Sequence, residues 1–182
     1  MLSLSDQQVL LRLARASLSG QLQPASPETV QEADAPPVSS VLDEPAGAFV
    51  TLRVEGRLRG CIGRTDRREV LGRVIPAMAI AAATRDPRFP SLHADELDRV
   101  RVEISVLGPL VPCQPHEVEI GRDGLVVADG RDRGLLLPEV AMDRGWSVTE
   151  FIEATSKKAG LAASAVADGA QLWRFETQHF GE

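Results

Sequence analysis

The chain has 182 residues, 43% of them hydrophobic and 25% charged, which is enough to bury a sizeable core in one domain and excludes a wholly disordered chain. A net charge of −6, 4% aromatic content and the lack of any Tyr disfavour a protein held to nucleic acid by phosphate attraction and base stacking. Two cysteines, no apolar run of membrane-spanning length and no signal-peptide pattern after Met1 point to a cytoplasmic protein with reduced thiols and no membrane contact.

Ser5 with Gln8 three residues on reads as a capping box, and Val9, Leu10, Leu13, Ala14 and Leu18 then recur at helical spacing, so a first helix is expected from about Asp6 to Leu18. Residues 20–47 turn polar and Pro-rich and are expected to be a connecting segment. Phe49 to Arg53 and Arg57 to Ile62 read as a hairpin turning at Val54-Glu55-Gly56, with Gly56 left-handed. That register places Val50, Leu52, Leu58, Gly60 and Ile62 on the core face. Phe49, Thr51, Arg53, Arg57, Arg59 and Cys61 lie on the other, with Cys61 across from Phe49.

Asp66 with Glu69 can cap a second helix carrying Val70, Leu71, Val74, Ile75, Met78 and Ala82, which Pro76 should kink or interrupt. Arg85-Asp86-Pro87-Arg88-Phe89-Pro90 is a loop fixed by its prolines. Strict alternation from Val100 to Val106 marks a half-buried strand, and shorter strands are expected at Val118 to Ile120, Gly124 to Ala128 and Gly134 to Leu137, the last two joined through Asp129-Gly130. Ser147-Val148-Thr149-Glu150 is a capping box opening a helix that Gly160 closes, and a strand from Leu172 to Thr177 ends the fold. The mixed order of helices and hairpin-linked strands favours an α+β fold with a mainly antiparallel sheet flanked by helices.

The chemistry-bearing types gather around Arg59-Gly60-Cys61-Ile62-Gly63. Guanidinium groups beside Cys61 favour a thiolate; against this stands the packing of Cys as a small buried hydrophobe. The two glycines mark either a close approach of a ligand or room for a crossing helix. Glu103 and Ser105 share the polar face of their strand, so Glu103 can converge with Arg59 if their strands are neighbours; the plain alternative is a solvated sheet face. Cys113 and His116 supply too few ligands for a zinc site, and no metal is expected. His93 and His179 stand alone in the sequence.

Phe49-Val50-Thr51-Leu52 followed by Gly56-Arg57-Leu58-Arg59-Gly60-Cys61-Ile62-Gly63 resembles the signature of the AMMECR-one domain, called protein A of the AmmeMemoRadiSam system in prokaryotes. Arg85-Asp86-Pro87-Arg88-Phe89, Val102 to Leu107, Arg133 to Pro138 and Lys158 to Leu161 look like further family blocks, so the resemblance runs from Leu10 to Phe180. It departs from the pattern at Thr84, in place of a usual aromatic, and at Ser156, where many relatives have Cys. The resemblance implies a two-lobed α+β single domain covering 1–182, association with a Memo-like protein and a radical S-adenosylmethionine protein, and no securely assigned activity; no cofactor is expected. On the residues and the resemblance together, Cys61 and Glu103 are the expected catalytic groups, and Arg59, Gly60, Gly63, Arg85, Asp86 and Ser105 the expected ligand-binding ones. Three readings follow. One is a small-molecule enzyme or accessory subunit centred on Cys61 and Arg59. Another is a noncatalytic module docking a protein, or RNA through Arg53, Arg57, Arg59, Arg85 and Arg88. The third is a purely structural hairpin.

Overall fold

The computed structural model describes residues 2–23 and 39–182, and the chain is α+β. It divides into two compact units, Met1–Leu107 with Gln178–Glu182, and Gly108–Thr177. Of the Pro-rich segment expected over 20–47, residues 24–38 lie outside the described residues; its first residues continue a helix and its end carries a 3-10 turn, Ser40–Asp43.

In the first unit, helix α1 (Leu4–Leu22) is longer than expected and begins earlier. Its cap is Ser3 with Asp6, each side chain bonding the other's backbone N–H. A carboxylate in the first turn complements the helix dipole as the neutral pair Ser5 and Gln8 cannot. Strands β1 (Ala48–Val54) and β2 (Arg57–Arg64) form the hairpin, and β3 (Val100–Leu107) pairs antiparallel with the other side of β1. One face of these strands is the core: Ala48, Val50, Leu52, Val102 and Ile104 are fully buried beneath Leu10, Ala14 and Leu18 of α1 and the apolar residues of helix α2 (Leu71–Thr84).

The hairpin departs from the expected register in two compensating ways. Its turn is the two-residue Glu55-Gly56, both at positive φ (51° and 75°), so Val54 pairs with Arg57 and Arg53 with Leu58. Leu58 thereby leaves the core side and is 36% exposed. A bulge at Arg59 then restores the alternation, so Leu52 pairs with Gly60, Thr51 rather than Phe49 with Cys61, and Phe49 with Gly63.

Helix α2 starts at Leu71 without a side-chain cap; the Leu71 N–H is taken by the Glu44 carbonyl at 2.9 Å. Asp66 instead pairs with Arg64 and accepts from the Arg68 N–H. Pro76 does not interrupt the helix. The carbonyl its ring crowds, one turn back, belongs to Gly72, which has no side chain of its own to add to the strain.

In the second unit, β5 (Asp123–Asp129) pairs with β6 (Asp132–Leu136) and with the first part of β7 (Gln171–Gly181), which also carries the two-residue β4 (Val111–Pro112). Helix α4 (Val148–Lys158) has the expected Ser147 and Glu150 capping box and ends before Gly160 at φ 81°. Leu125, Val127, Phe151 and Ile152 anchor its core. The strand expected at Val118 to Ile120 is absent: the chain makes a 3-10 turn, Pro115–Glu117, and enters β5 six residues later. Helix α3 (Pro138–Arg144) was not anticipated, although Pro138 at its first turn and left-handed Gly145 at its end are its signals.

Candidate functional site

The face of β1, β2 and β3 turned away from α1 and α2 carries the reactive side chains in rows set by the register. Thr51 pairs with Cys61 on one side and Glu103 on the other. Phe49 likewise pairs with Gly63 and Ser105, and Arg53 with Leu58 and Arg101. Neighbouring strands lie about 5 Å apart, so the Cys61 and Glu103 backbones stand about 10 Å apart with Thr51 between them. That gap suits a ligand of a few heavy atoms lying over Thr51.

Within this face the Thr51 hydroxyl donates to Cys61 Sγ at 3.2 Å. Arg53 Nε donates to both carboxylate oxygens of Glu103, at 2.9 and 3.0 Å. His179, near the end of β7, lies with Nδ1 3.0 Å from Ser105 Oγ and Nε2 4.0 Å from Glu103 Oε2. Gly181 leaves the Glu103 side chain its room, since a Cβ there would fall 3.1 Å from Glu103 Cγ. Cys61 is half-buried and the His179 side chain is 53% exposed, so solvent reaches both ends of the cluster. A thiol with a hydroxyl donor, a carboxylate held by a guanidinium and an imidazole on a hydroxyl thus share one face. Together they can supply a nucleophile and a proton carrier.

Of the residues singled out in the sequence, Cys61, Glu103 and Ser105 meet on this face, Ser105 almost buried at 5%. Arg59 does not join Glu103, because β1 lies between their strands and its own Arg53 reaches the carboxylate first. Instead the Arg59 guanidinium bonds both oxygens of Glu96 at 2.9 Å and the carbonyls of Pro90 and Ser91 at 2.7 and 3.2 Å. That pairing holds the Glu96 carboxyl below the usual carboxylate range. Gly60 makes room for the helix: a Cβ there would sit 2.1 Å from the Ala82 carbonyl oxygen. Gly63 lies under the Phe49 ring, 2.3 Å from where its Cβ would be.

Asp86, 4% exposed, accepts the Cys61 N–H at 2.8 Å and the Arg88 guanidinium at 2.7 and 2.9 Å. The Arg88 bonds, with the Cys61 and Arg88 amides, hold its carboxyl far below the usual range. Arg85 is exposed and has no side-chain partner among the described residues. His179 is the member that sequence reasoning missed. It lies beyond the expected end of the last strand, and only that strand's full length places it opposite Ser105.

The second unit has its own polar cluster. Burial pushes buried Asp123 up, but Arg122, the Glu119 amide and Arg174 together bring it below the usual carboxylate value. A groove of about 500 Å³, lined by Pro112, Cys113, Pro115, Leu172 and Trp173, brings in the other thiol. Burial, with Glu117 nearby, pushes that thiol up. Among the described residues no three His, Cys, Asp or Glu side chains gather closely enough to hold a metal ion, and no helix is long and apolar enough to cross a membrane.

The AMMECR1 family pattern matches residues 11–180, nearly the whole chain. The chain belongs to the AMMECR1 family. A relative from Methanocella arvoryzae is 45% identical over 149 residues, covering 77% of this chain and 75% of its own. One from Methanocaldococcus jannaschii is 38% identical over 192 residues, covering 100% of this chain and 92% of its own. The crystal structure of an uncharacterised protein from Pyrococcus horikoshii matches with a TM-score of 0.82 at 34% identity, covering 98% of this chain and 92% of that one. None of these names states an activity, so the chemistry of this AMMECR1 domain is argued from its own side chains.

Proposed function

We propose that this AMMECR1 domain is a small-molecule enzyme, or the accessory subunit of one, whose ligand lies over Thr51 between Cys61 and Glu103. The observation that carries the reading is the register of β1, β2 and β3, which sets a solvent-reachable thiol and a carboxylate on either side of Thr51, with the His179 imidazole hydrogen-bonded to Ser105 beside them. In the proposed step the Cys61 thiol gives its proton to solvent and its sulfur adds to the carbonyl carbon of a small polar substrate lying over Thr51, the carbonyl π bond opening as the C–S bond forms. Glu103 or His179, on the far side of that ligand, passes a proton to the carbonyl oxygen, with Arg53 holding Glu103 and Ser105 holding His179. Arg59, Gly60 and Gly63 serve by placing β2. The resemblance of the signature to protein A of the AmmeMemoRadiSam system supports a Memo-like protein and a radical S-adenosylmethionine protein as partners.

The RNA-binding reading has less in its favour. Three of its five arginines are paired with carboxylates: Arg53 with Glu103, Arg59 with Glu96 and Arg88 with Asp86. A protection experiment tests the enzyme reading. Desalted small-molecule fractions of a cell extract are added to the protein, and carbamidomethylation of Cys61 and Cys113 is followed by peptide mass spectrometry. One fraction should slow modification at Cys61 alone, and Glu103→Gln should remove the protection. If no fraction protects Cys61, or if protection survives Glu103→Gln, the assigned site is wrong.

A further inference from the structure

Strand β2 has a neighbour only on its β1 side among the strands of its unit, so the main-chain groups of alternate residues along it point outward. Water ordinarily satisfies such an edge. At Cys61 the protein does it instead. The Cys61 N–H donates to Asp86 Oδ2 at 2.8 Å, and the Cys61 carbonyl accepts from Arg88 Nη2 at 3.2 Å. One acceptor and one donor, tied to each other by two Arg88 bonds to Asp86, reproduce what an adjacent strand would offer to one residue. Among the described residues no side chain does this for Gly63, the next outward-facing position.

Burying a carboxylate is costly unless several hydrogen bonds hold it, and Asp86 receives four: from the Cys61 amide, the Arg88 amide and two guanidinium nitrogens. Simple protection of an edge needs no buried ion, since a surface Lys or a bulge suffices. The arrangement is also anchored from behind. Asp86 follows directly on α2, whose Ala82 carbonyl touches β2 at Gly60, the residue before the thiol. Cys61 is therefore held from the helix face through Gly60, along its edge by Asp86 and Arg88, and from β1 by the Thr51 hydroxyl on its sulfur.

We infer that Asp86 and Arg88 are positioning residues, an ion pair standing in for a strand to fix the Cys61 backbone so that its sulfur keeps the Thr51 hydrogen bond. This rests on the reading of Cys61 as the reactive group, but its geometric part stands apart from any reaction. Both hydrogen-bond the main chain of Cys61 and not its sulfur. Both act through Cys61.

Two measurements on the full chain test it. By amide hydrogen exchange, Asp86→Ala should strip protection from the Cys61 N–H by about 100-fold, while the Ile62 N–H, which faces β1, stays protected. By peptide-resolved alkylation, Thr51→Val should slow modification of Cys61 about threefold or more in the wild type, because the hydroxyl stabilises charge on the sulfur, and should change nothing in the Asp86→Ala background. Arg88→Lys, which keeps the charge and one donor, gives an intermediate result and serves if Asp86→Ala does not fold. An unchanged Cys61 exchange rate overturns the clamp. A Thr51→Val effect that persists undiminished without Asp86 overturns the positioning role, even if stability has dropped. A wild-type Cys61 as inert as Cys113 would instead count against the proposed function, leaving the exchange result to decide on the clamp.

Discussion

Substituting Gly60 by Ala tests the packing that places Cys61. The added Cβ would lie 2.1 Å from the Ala82 carbonyl oxygen, 0.9 Å inside the 3.0 Å below which Cβ contacts are essentially never found. The obstacle is helix backbone, which cannot rotate aside as a side chain can. Strand β2 and helix α2 must therefore move apart by about 1 Å, loosening a layer in which Leu52, Ile75 and Ala79 are fully buried. Overpacking of this kind costs about 1–3 kcal/mol, and a backbone clash belongs at the upper end. For a chain of this size each kcal/mol moves the melting temperature by about 2–4 °C, so a fall of about 6–12 °C is expected. Calorimetry on the wild type, Gly60→Ala and Gly20→Ala makes the comparison internal. Gly20 sits on α1 with nothing within 4 Å of its Cβ position, so alanine there should stabilise by up to about 1 kcal/mol. A Gly60→Ala protein that melts with the wild type would refute the claim that this glycine is required by the helix.

Asp86 gives the molecule an acid-sensitive element. Its folded carboxyl, held down first by the Arg88 guanidinium, binds its proton less tightly than the unfolded one, whose pKa is about 3.9. Its contribution is complete above that value and is lost as pH falls toward the lower folded one. The stability gap between wild type and Asp86→Asn, from urea titrations, should be flat from about pH 5 to 8 and shrink below about pH 4; a gap constant down to pH 2.5 would contradict this. Arg59→Ala should cost about 1–3 kcal/mol, with most of the loss shared with Glu96→Ala in a double-mutant cycle, while filter binding to single-stranded RNA stays negligible in both. Additive losses would show that the pair is not the reason Arg59 matters. Ser147→Ala removes the cap of α4 and should lower stability by about 1 kcal/mol in a urea melt, an effect absent for Ser164→Ala if capping is the cause.

Local rules read well wherever a signal is local. Ser147 and Glu150 marked the start of α4, and the alternation from Val100 to Val106 marked β3, because a cap and a pleat depend on neighbours a few residues away. The hairpin shows where such rules stop. Its register turned on Glu55 accepting a positive φ, a conformation an L residue rarely adopts, and on an offsetting bulge at Arg59. The side on which Cys61 lies was read correctly only because those two irregularities cancel. Which arginine meets which carboxylate was not legible at all. Arg53 and Arg59 are alike in sequence, and only the strand order, with β1 in the middle, gives Glu103 to the first and leaves Glu96 to the second. Asp86 reads in the sequence as a ligand-binding residue, and its bond to the Cys61 amide depends on α2 returning the chain to the edge of β2. His179 needed the last strand to run four residues past its apolar pattern.

The central claim, that Cys61 and not merely any thiol of this protein is the reactive group, is tested most directly by alkylating the native chain with iodoacetamide across a pH series and resolving Cys61 from Cys113 by peptide. The account predicts that Cys61 reacts at least about tenfold faster than buried Cys113 near neutral pH, and that Thr51→Val narrows the ratio. Equal rates at the two thiols, or a Cys61 that reacts only once the protein unfolds, would contradict it.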